Sequence, residues 1–371
     1  MLLVAAILAV QRLPSCGRVF RWLPIPLWCY ALPAMAVELG WLPANDPAYP
    51  WLTAQLLPVA LGLLLLGADL PSVLRSGTRV LAAAGIGTAG IILGSALGAW
   101  ALRAHLPPEA WKGAGALAGT WTGGTMNLLA LRTVLNMPDP LFAPLIVVDA
   151  VVAYTWMALL VAASAFQRPI NRWLGAADAA IIAPAPESAA DRRLTMVGLS
   201  AAAAVGLSFT ARALAARLPV SSLVSSATAW TILLVTTVAL SLSLIAPVRR
   251  IGSGGDALGY PCLYVVLAAT GAQAKLGALW STPVWLLLGL VIVLVHGALL
   301  LVAGRLLKIP LGLLATASQA DIGGVVSAPL VGAVYHQSLA PVGLLLAIAG
   351  NALGTYFGLL AASCARWLTG G

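Results

Sequence analysis

The sequence predicts an all-α integral membrane protein, and three observations carry that prediction. Its composition is 61% hydrophobic against 8% charged, far outside the usage of globular domains. Runs such as Val80 to Leu102 and Val220 to Val248 contain no charged residue, and each exceeds the roughly 20 helical residues that cross a hydrocarbon core. Runs of this kind recur along the chain in two sets, with one polar stretch between them.

Taken in order, apolar spans are predicted near 2 to 11, 22 to 40, 50 to 67, 80 to 102, 112 to 136 and 140 to 166. A second set is predicted near 194 to 216, 220 to 246, 257 to 274, 283 to 304, 310 to 336 and 340 to 364. The first segment follows no basic n-region, which argues against a cleaved secretory signal and for a short first helix. Between the sets, residues 167 to 193 carry Arg168, Arg172, Asp178, Glu187, Asp191, Arg192 and Arg193 around the string APAP, which reads as a linker. The expected organisation is a first transmembrane repeat over 1–166, the linker over 167–193 and a second repeat over 194–371.

The net charge of +9 and pI near 9.9 come from Lys and Arg scattered between apolar segments. No basic stripe forms, so a nucleic-acid partner is not expected; loops facing the cytoplasm and anionic lipid explain the charge. Cys16, Cys29, Cys262 and Cys364 lack metal-ligand spacing and read as inert thiols. Trp22, Trp41, Trp51, Trp111 and Trp367 lie at segment ends, where the membrane interface suits an amphipathic ring.

The two sets match when Gly123-Gly124 in AGTWTGGTMNLLAL is laid on Gly323-Gly324 in SQADIGGVVSAPL. Pro58 then precedes Gly123 by 65 residues and Pro261 precedes Gly323 by 62, while Asp149 and Tyr154 are five apart, as are Asn351 and Tyr356. Coincidences in register indicate an internal repeat. Loop charges, with Arg249, Arg250, Arg305 and Lys308 on one side and Arg12, Arg18, Arg21, Arg75 and Arg79 on the other set's equivalent, favour antiparallel halves. Six spans per set would instead give parallel halves, so one span is re-entrant or the basic linker breaks the charge rule.

A glycine pair inside a membrane segment weakens the helix, and amides freed there need partners that lipid does not supply. Such breaks are tolerated where they line a buried or watery cavity, and two at equivalent positions point to a midplane site. Candidate solute-binding residues are Thr120, Thr122, Gly123, Gly124, Thr125 and Asn127 near the first break (120–127), and Gln319, Gly323, Gly324 and Ser327 near the second (319–327). Both stretches are expected to be non-helical. Close helix packing by small residues is the competing explanation. Asp149 and Asp321 are the deep acids, and intramembrane carboxylates commonly mark ion or proton paths; with Asn351 they form the candidate cation set. Asp69 reads as an interfacial helix end, Lys275 with Gln273 as a snorkelling end, and His296 as either a packing histidine or a proton relay.

The stretches LLPVALGLLLLGADL, GTWTGGTMNLLAL, SQADIGGVVSAPL and GNALGTYFG resemble the DUF819 family of predicted bacterial permeases over nearly the whole chain. That family is grouped with the cation/proton antiporter and bile-acid symporter superfamily. The resemblance implies inverted repeats, a pair of discontinuous crossed helices, a core domain, a panel domain used for dimerisation, and elevator-like movement. Asp321 departs from the Asn expected in that motif, which adds negative charge to the site.

The leading expectation is a secondary active transporter of the bacterial plasma (inner) membrane, with no enzymatic activity and no cofactor beyond a coupling ion, Na⁺ or H⁺. Asp149, Asp321 and Asn351 would hold the cation, and half-helix N-termini near Gly124 and Gly324 would present amides to an anionic or zwitterionic organic solute. Lipid, the solute and a second copy of the chain are the expected partners. A cation/proton antiporter is the alternative within transport. An enzyme is disfavoured because HExxH, GxSxG and P-loop strings are missing, and a scaffold stays open as a further class.

Overall fold

A computed structural model describes residues 2–11, 25–44, 46–69, 71, 77–176, 194–219, 226–273, 282–336 and 338–370. Among them there is no strand, and six helices are long and apolar enough to cross a membrane, or seven if one bent pair counts as a span. Most predicted spans recur to within a few residues, and the first part of the predicted linker is itself helical: α1 Leu2–Gln11, α2 Ile25–Glu38, α3 Ala48–Leu65, α4 Thr78–Ala101, α5 Ala110–Gly123, α6 Thr125–Val134, α7 Asp139–Ala163 and a short α8, Gln167–Leu174. The second set is α9 Leu194–Ala215, α10 Ala227–Ser243, α11 Ala246–Gly252, α12 Asp256–Gly271, α13 Thr282–Leu307, α14 Leu311–Ile322, α15 Gly324–Tyr335 and α16 Leu339–Thr369. The predicted span near 220 to 246 turns through 120° between α10 and α11. Most of the linker, 177–193, lies outside the described residues, as do Trp22, Cys16, Lys275, Arg12, Arg18, Arg21 and Arg75.

The chain forms two compact units, each drawing on both sequence halves: 1–68, 132–150 and 188–283 in the first, 69–131, 151–187 and 284–371 in the second. In the first unit α3 packs on α12, α9 and α10. Backbones approach so closely that a methyl group on Gly67 would meet the Gly252 carbonyl oxygen at 2.7 Å. The buried Arg249 donates to the Ser243 carbonyl at 2.9 Å, tying α11 back across the bend. An ion pair joins Arg132 to Asp139, and the Arg132 guanidinium lies 4.8 Å from the centre of the Phe142 ring.

In the second unit α16 packs along α5, with α4, α14 and α15 against the same helix. The α5–α16 seam is made of glycine: a methyl on Gly354 would meet Gly123 Cα at 2.7 Å and the Gly119 carbonyl oxygen at 2.8 Å, and one on Gly358 would meet the Gly115 oxygen at 2.8 Å. Helices pack this closely only where small residues recur on one face, and Gly123 is one of those residues. Trp111, expected at the interface, is instead buried beneath Lys112 and Arg366. Asp69 is likewise buried, not a water-facing helix end.

Helix α13 serves as a ruler for depth. Trp285, near its start, lies over Gly113 of α5, and Gly304, near its end, lies against Leu314 of α14. The rise from Trp285 to Gly304 is roughly 28 Å, about the thickness of a hydrocarbon core. The half-helices α5 and α14 therefore start from opposite ends. Gly113 to Gly124 rises roughly 16 Å and Leu314 to Gly323 roughly 14 Å, which brings both interruptions to the middle.

Candidate functional site

Each interruption is one residue wide. Gly124 (φ 74°) separates α5 from α6, and Gly323 with Gly324 (φ 72°) separates α14 from α15. Positive φ at these points is open to glycine at little cost and strained for other residues. The expectation that 120–127 and 319–327 are non-helical is corrected: the flanking residues stay helical, because one left-handed glycine is enough to change the chain's direction. The same arrangement occurs twice. The first glycine of each pair is covered by an amide side chain, Asn127 over Gly123 and Gln319 over Gly323, and the second takes the positive φ.

Asn127 is the hub of the first break. Its Nδ2 donates to the Gly123 carbonyl and, at 3.1 Å, to that of Asn351; its Oδ1 accepts from Thr355 Oγ1 at 2.5 Å. The Asn351 side-chain oxygen borders Gly124, 3.2 Å from where a methyl there would stand. Thr122 donates to the Ala118 carbonyl at 2.8 Å and is spent on its own helix. Thr120 is buried, and among the described residues its hydroxyl has no hydrogen-bond partner. At the second break Gln319 Nε2 donates to Ser327 Oγ at 2.9 Å, while Gln319 Oε1 is buried without a partner among the described residues. Thr125 opens α6 at the break itself, half-buried.

Asp321, one turn from Gly324, is 7% exposed. Thr88 Oγ1 donates to its Oδ1 at 3.2 Å, and Oδ2 has no partner among the described residues. The carboxylate reaches α4 because Gly87 carries no side chain: a methyl there would collide with Asp321 Oδ2 and lie 3.2 Å from His296 Cε1. His296 is fully buried and held at both nitrogens, Nδ1 to the Gly87 carbonyl at 2.8 Å and Nε2 to Ser318 Oγ at 2.7 Å. A carbonyl only accepts, so Nδ1 carries a proton, and a neutral ring then accepts the Ser318 hydroxyl proton at Nε2. Trp156 Nε1 donates to the same hydroxyl at 2.8 Å. Every polar atom of the Trp156–Ser318–His296–Gly87 chain is satisfied, which makes His296 a packing and positioning residue for Asp321's neighbourhood.

Of the predicted set, Thr120, Gly123, Gly124, Asn127 and Asn351 meet at the first break, and Gln319, Asp321, Gly323 and Ser327 at the second. Asp149 belongs to the other unit. Among the described residues no three His, Cys, Asp or Glu side chains gather as a metal cluster would. The sequence reasoning missed Gly87, Thr88, Trp156, Ser318 and Thr355. Thr355 was within reach of it, four residues after Asn351 on one helix face.

A family model described as "Protein of unknown function (DUF819)" matches residues 1–368. The chain belongs to this family. It is similar to the "Uncharacterized membrane protein YjcL" of Bacillus subtilis (strain 168), with 27% identity over 112 residues, 30% of this chain and 28% of YjcL. The match thus spans well under a third of that relative. With six helices long and apolar enough to cross a membrane and a relative described as a membrane protein, the chain is a multi-pass membrane protein in contact with the lipid bilayer.

Proposed function

We propose that this DUF819 protein is a secondary active transporter that couples a cation gradient, Na⁺ or H⁺, to movement of a small anionic or zwitterionic organic solute. The observation that carries the proposal is the pair of half-helices that start at opposite ends of α13 and are interrupted at positive-φ glycines midway along it, beside the buried Asp321. Non-helical backbone at that depth is tolerated where it lines a cavity, and paired breaks of this kind frame substrate sites. The amide donors at the starts of α6 and α15 favour an anionic group. The Asp321 carboxylate, the Gln319 and Asn351 amide oxygens and the Thr120 hydroxyl are hard oxygens suited to Na⁺ or a proton.

Inverted repeats give the opposed half-helices a common origin, and the recurring amide-over-glycine arrangement supports that relation. The second unit would be the core that carries solute in an elevator-like movement, and the first the panel on which a homodimer forms. The chain acts without chemical change to its cargo. Reconstituted protein should take up a component of a metabolite mixture under an imposed Na⁺ or H⁺ gradient in proteoliposomes. Uptake that ignores both gradients, or covalently altered solute, would refute the proposal.

A further inference from the structure

The basic end of the second unit gathers cations that the proposed transport does not call for. Helix α8 follows α7 after one turn of 3₁₀ helix, Ser164–Phe166, and is fastened to α14. Asn171 Oδ1 accepts from the backbone N–H of Leu311 at 2.8 Å, a helix cap delivered from 140 residues away, and Leu174 is fully buried. Gly175 ends α8 at φ 66°, so close to the end of α13 that a methyl there would stand 3.2 Å from Arg305 Nη1 and 4.0 Å from Lys308 Cγ. The Arg305 guanidinium lies 6.0 Å from the centre of the Trp173 ring.

With its buried face thus occupied, α8 turns Arg168 and Arg172, one helical turn apart, to the outside. Arg305 and Lys308, also exposed, stand at the Gly175 end of the same helix, and Val80 at the start of α4 belongs to the same buried cluster as Leu174, Ile309 and Leu311. Among the described residues these four cations form no ion pair; the acids that do are Glu109 and Asp139. Between and below the charges, Phe166, Trp173, Leu306 and Leu307 are exposed apolar side chains at the ends of membrane-crossing helices. Four cations over a shelf of exposed aromatic and aliphatic side chains match a molecule with a phosphate at one end and acyl chains at the other.

We propose that Arg168, Arg172, Arg305 and Lys308 bind the headgroup phosphate of an anionic phospholipid, whose chains lie against Phe166, Trp173, Leu306 and Leu307. Cytoplasmic leaflets carry the anionic lipid, and the positive-inside rule puts this end of the unit there. Because α8 caps α14, the lipid is bound to the element that leads to Gln319 and Asp321.

The test uses the purified full-length protein in detergent, with phosphatidylglycerol, phosphatidylcholine of the same acyl chains, and inorganic phosphate as probes. Retained lipid is counted by native mass spectrometry, and binding is followed through protein fluorescence. The wild type should prefer phosphatidylglycerol by roughly tenfold or more, as expected for several cations near one anionic group. The Arg168→Gln/Arg172→Gln and Arg305→Gln/Lys308→Gln pairs should each reduce that preference, and the four-fold variant should abolish it. Arg103→Gln, at the other end of α4, should keep it. If the four-fold variant fails to fold, the two pairs and the salt sensitivity of the wild type decide the matter. Equal binding of both lipids by the wild type, or an undiminished preference in both pairs, overturns the proposal. Inorganic phosphate competing as well as the lipid reassigns the site to a free anion and also overturns it.

Discussion

Replacing Gly87 by alanine tests the neighbourhood of Asp321 through a single methyl group. Both neighbours of that methyl are held: Asp321 by Thr88 and His296 by Gly87 and Ser318. The carboxylate must swing away from Thr88 or α4 must retreat from α13. Overpacking of this kind costs about 1–3 kcal/mol, and alanine returns about 1 kcal/mol through its better helix propensity. A net loss of about 0–2 kcal/mol follows. Gly85 lies two residues earlier in α4 with nothing within 4 Å of an added methyl, so Gly85→Ala collects the propensity gain alone. The two variants should differ by about 1–3 kcal/mol in opposite directions from wild type. Thermal unfolding in detergent, followed by tryptophan fluorescence, measures the gap. Equal stability of the two variants would show that the carboxylate does not rest on Gly87.

Asp321→Asn keeps size and hydrogen bonding while removing charge, so the folded protein should lose most of any stabilisation by Na⁺ or by acid that the wild type shows; an unchanged response removes Asp321 from the ion site. An ion at about 100 times its Kd stabilises by about 2.7 kcal/mol, which sets the size of the response to look for in a melting curve. Ser318→Ala takes the shared partner from Trp156 Nε1 and His296 Nε2, and with each orphaned polar group costing about 1–3 kcal/mol the melting temperature should fall clearly; Thr316→Ala, whose hydroxyl bonds only its own helix at 2.6 Å to Gly312, should fall less. Asn171→Ala removes the cap of α14 and should cost about 0.5–2 kcal/mol, with Asn171→Asp restoring much of it, as read from chemical or thermal denaturation.

Much of the fold was legible because lipid leaves few options: an uncharged run of sufficient length has to be a helix, and the predicted bounds fall within a few residues of α4, α7, α9 and α13. The breaks at Gly123-Gly124 and Gly323-Gly324 were legible as interruptions but not in their extent, since composition does not reveal that one left-handed residue is enough. Nor did it separate the two roles inside the first pair, Gly123 packing against α16 and Gly124 turning the chain. Thr88 carries no signal of its own. A lone threonine in an apolar helix commonly bonds its own carbonyls, and only the missing side chain at Gly87, opposite a residue 234 positions away, turns it toward Asp321. The bend after α10 did carry a signal, Pro247 in the first turn of α11 with Arg249 and Arg250 behind it, but apolar Leu244 and Ile245 let the span be read straight through to 246.

The glycine seam between α5 and α16 also determines which parts of the molecule keep their spacing. Ordinary helix pairs slide because side chains change rotamer and let ridges slip past one another. Here carbonyl oxygens sit against Cα atoms at Gly115, Gly119, Gly123, Gly354 and Gly358, and those glycines offer no rotamer to change. A slip of one turn would have to lift the two backbones apart along the whole contact. The pair therefore behaves as a single girder, and α6 is tied to it beyond Gly124 by Asn127, bonded to Asn351 and Thr355, and by Leu131, lying over Gly119 and Gly358. Spin labels placed on the outward faces of α5 and α16 should report one narrow separation whatever solute or ion is present.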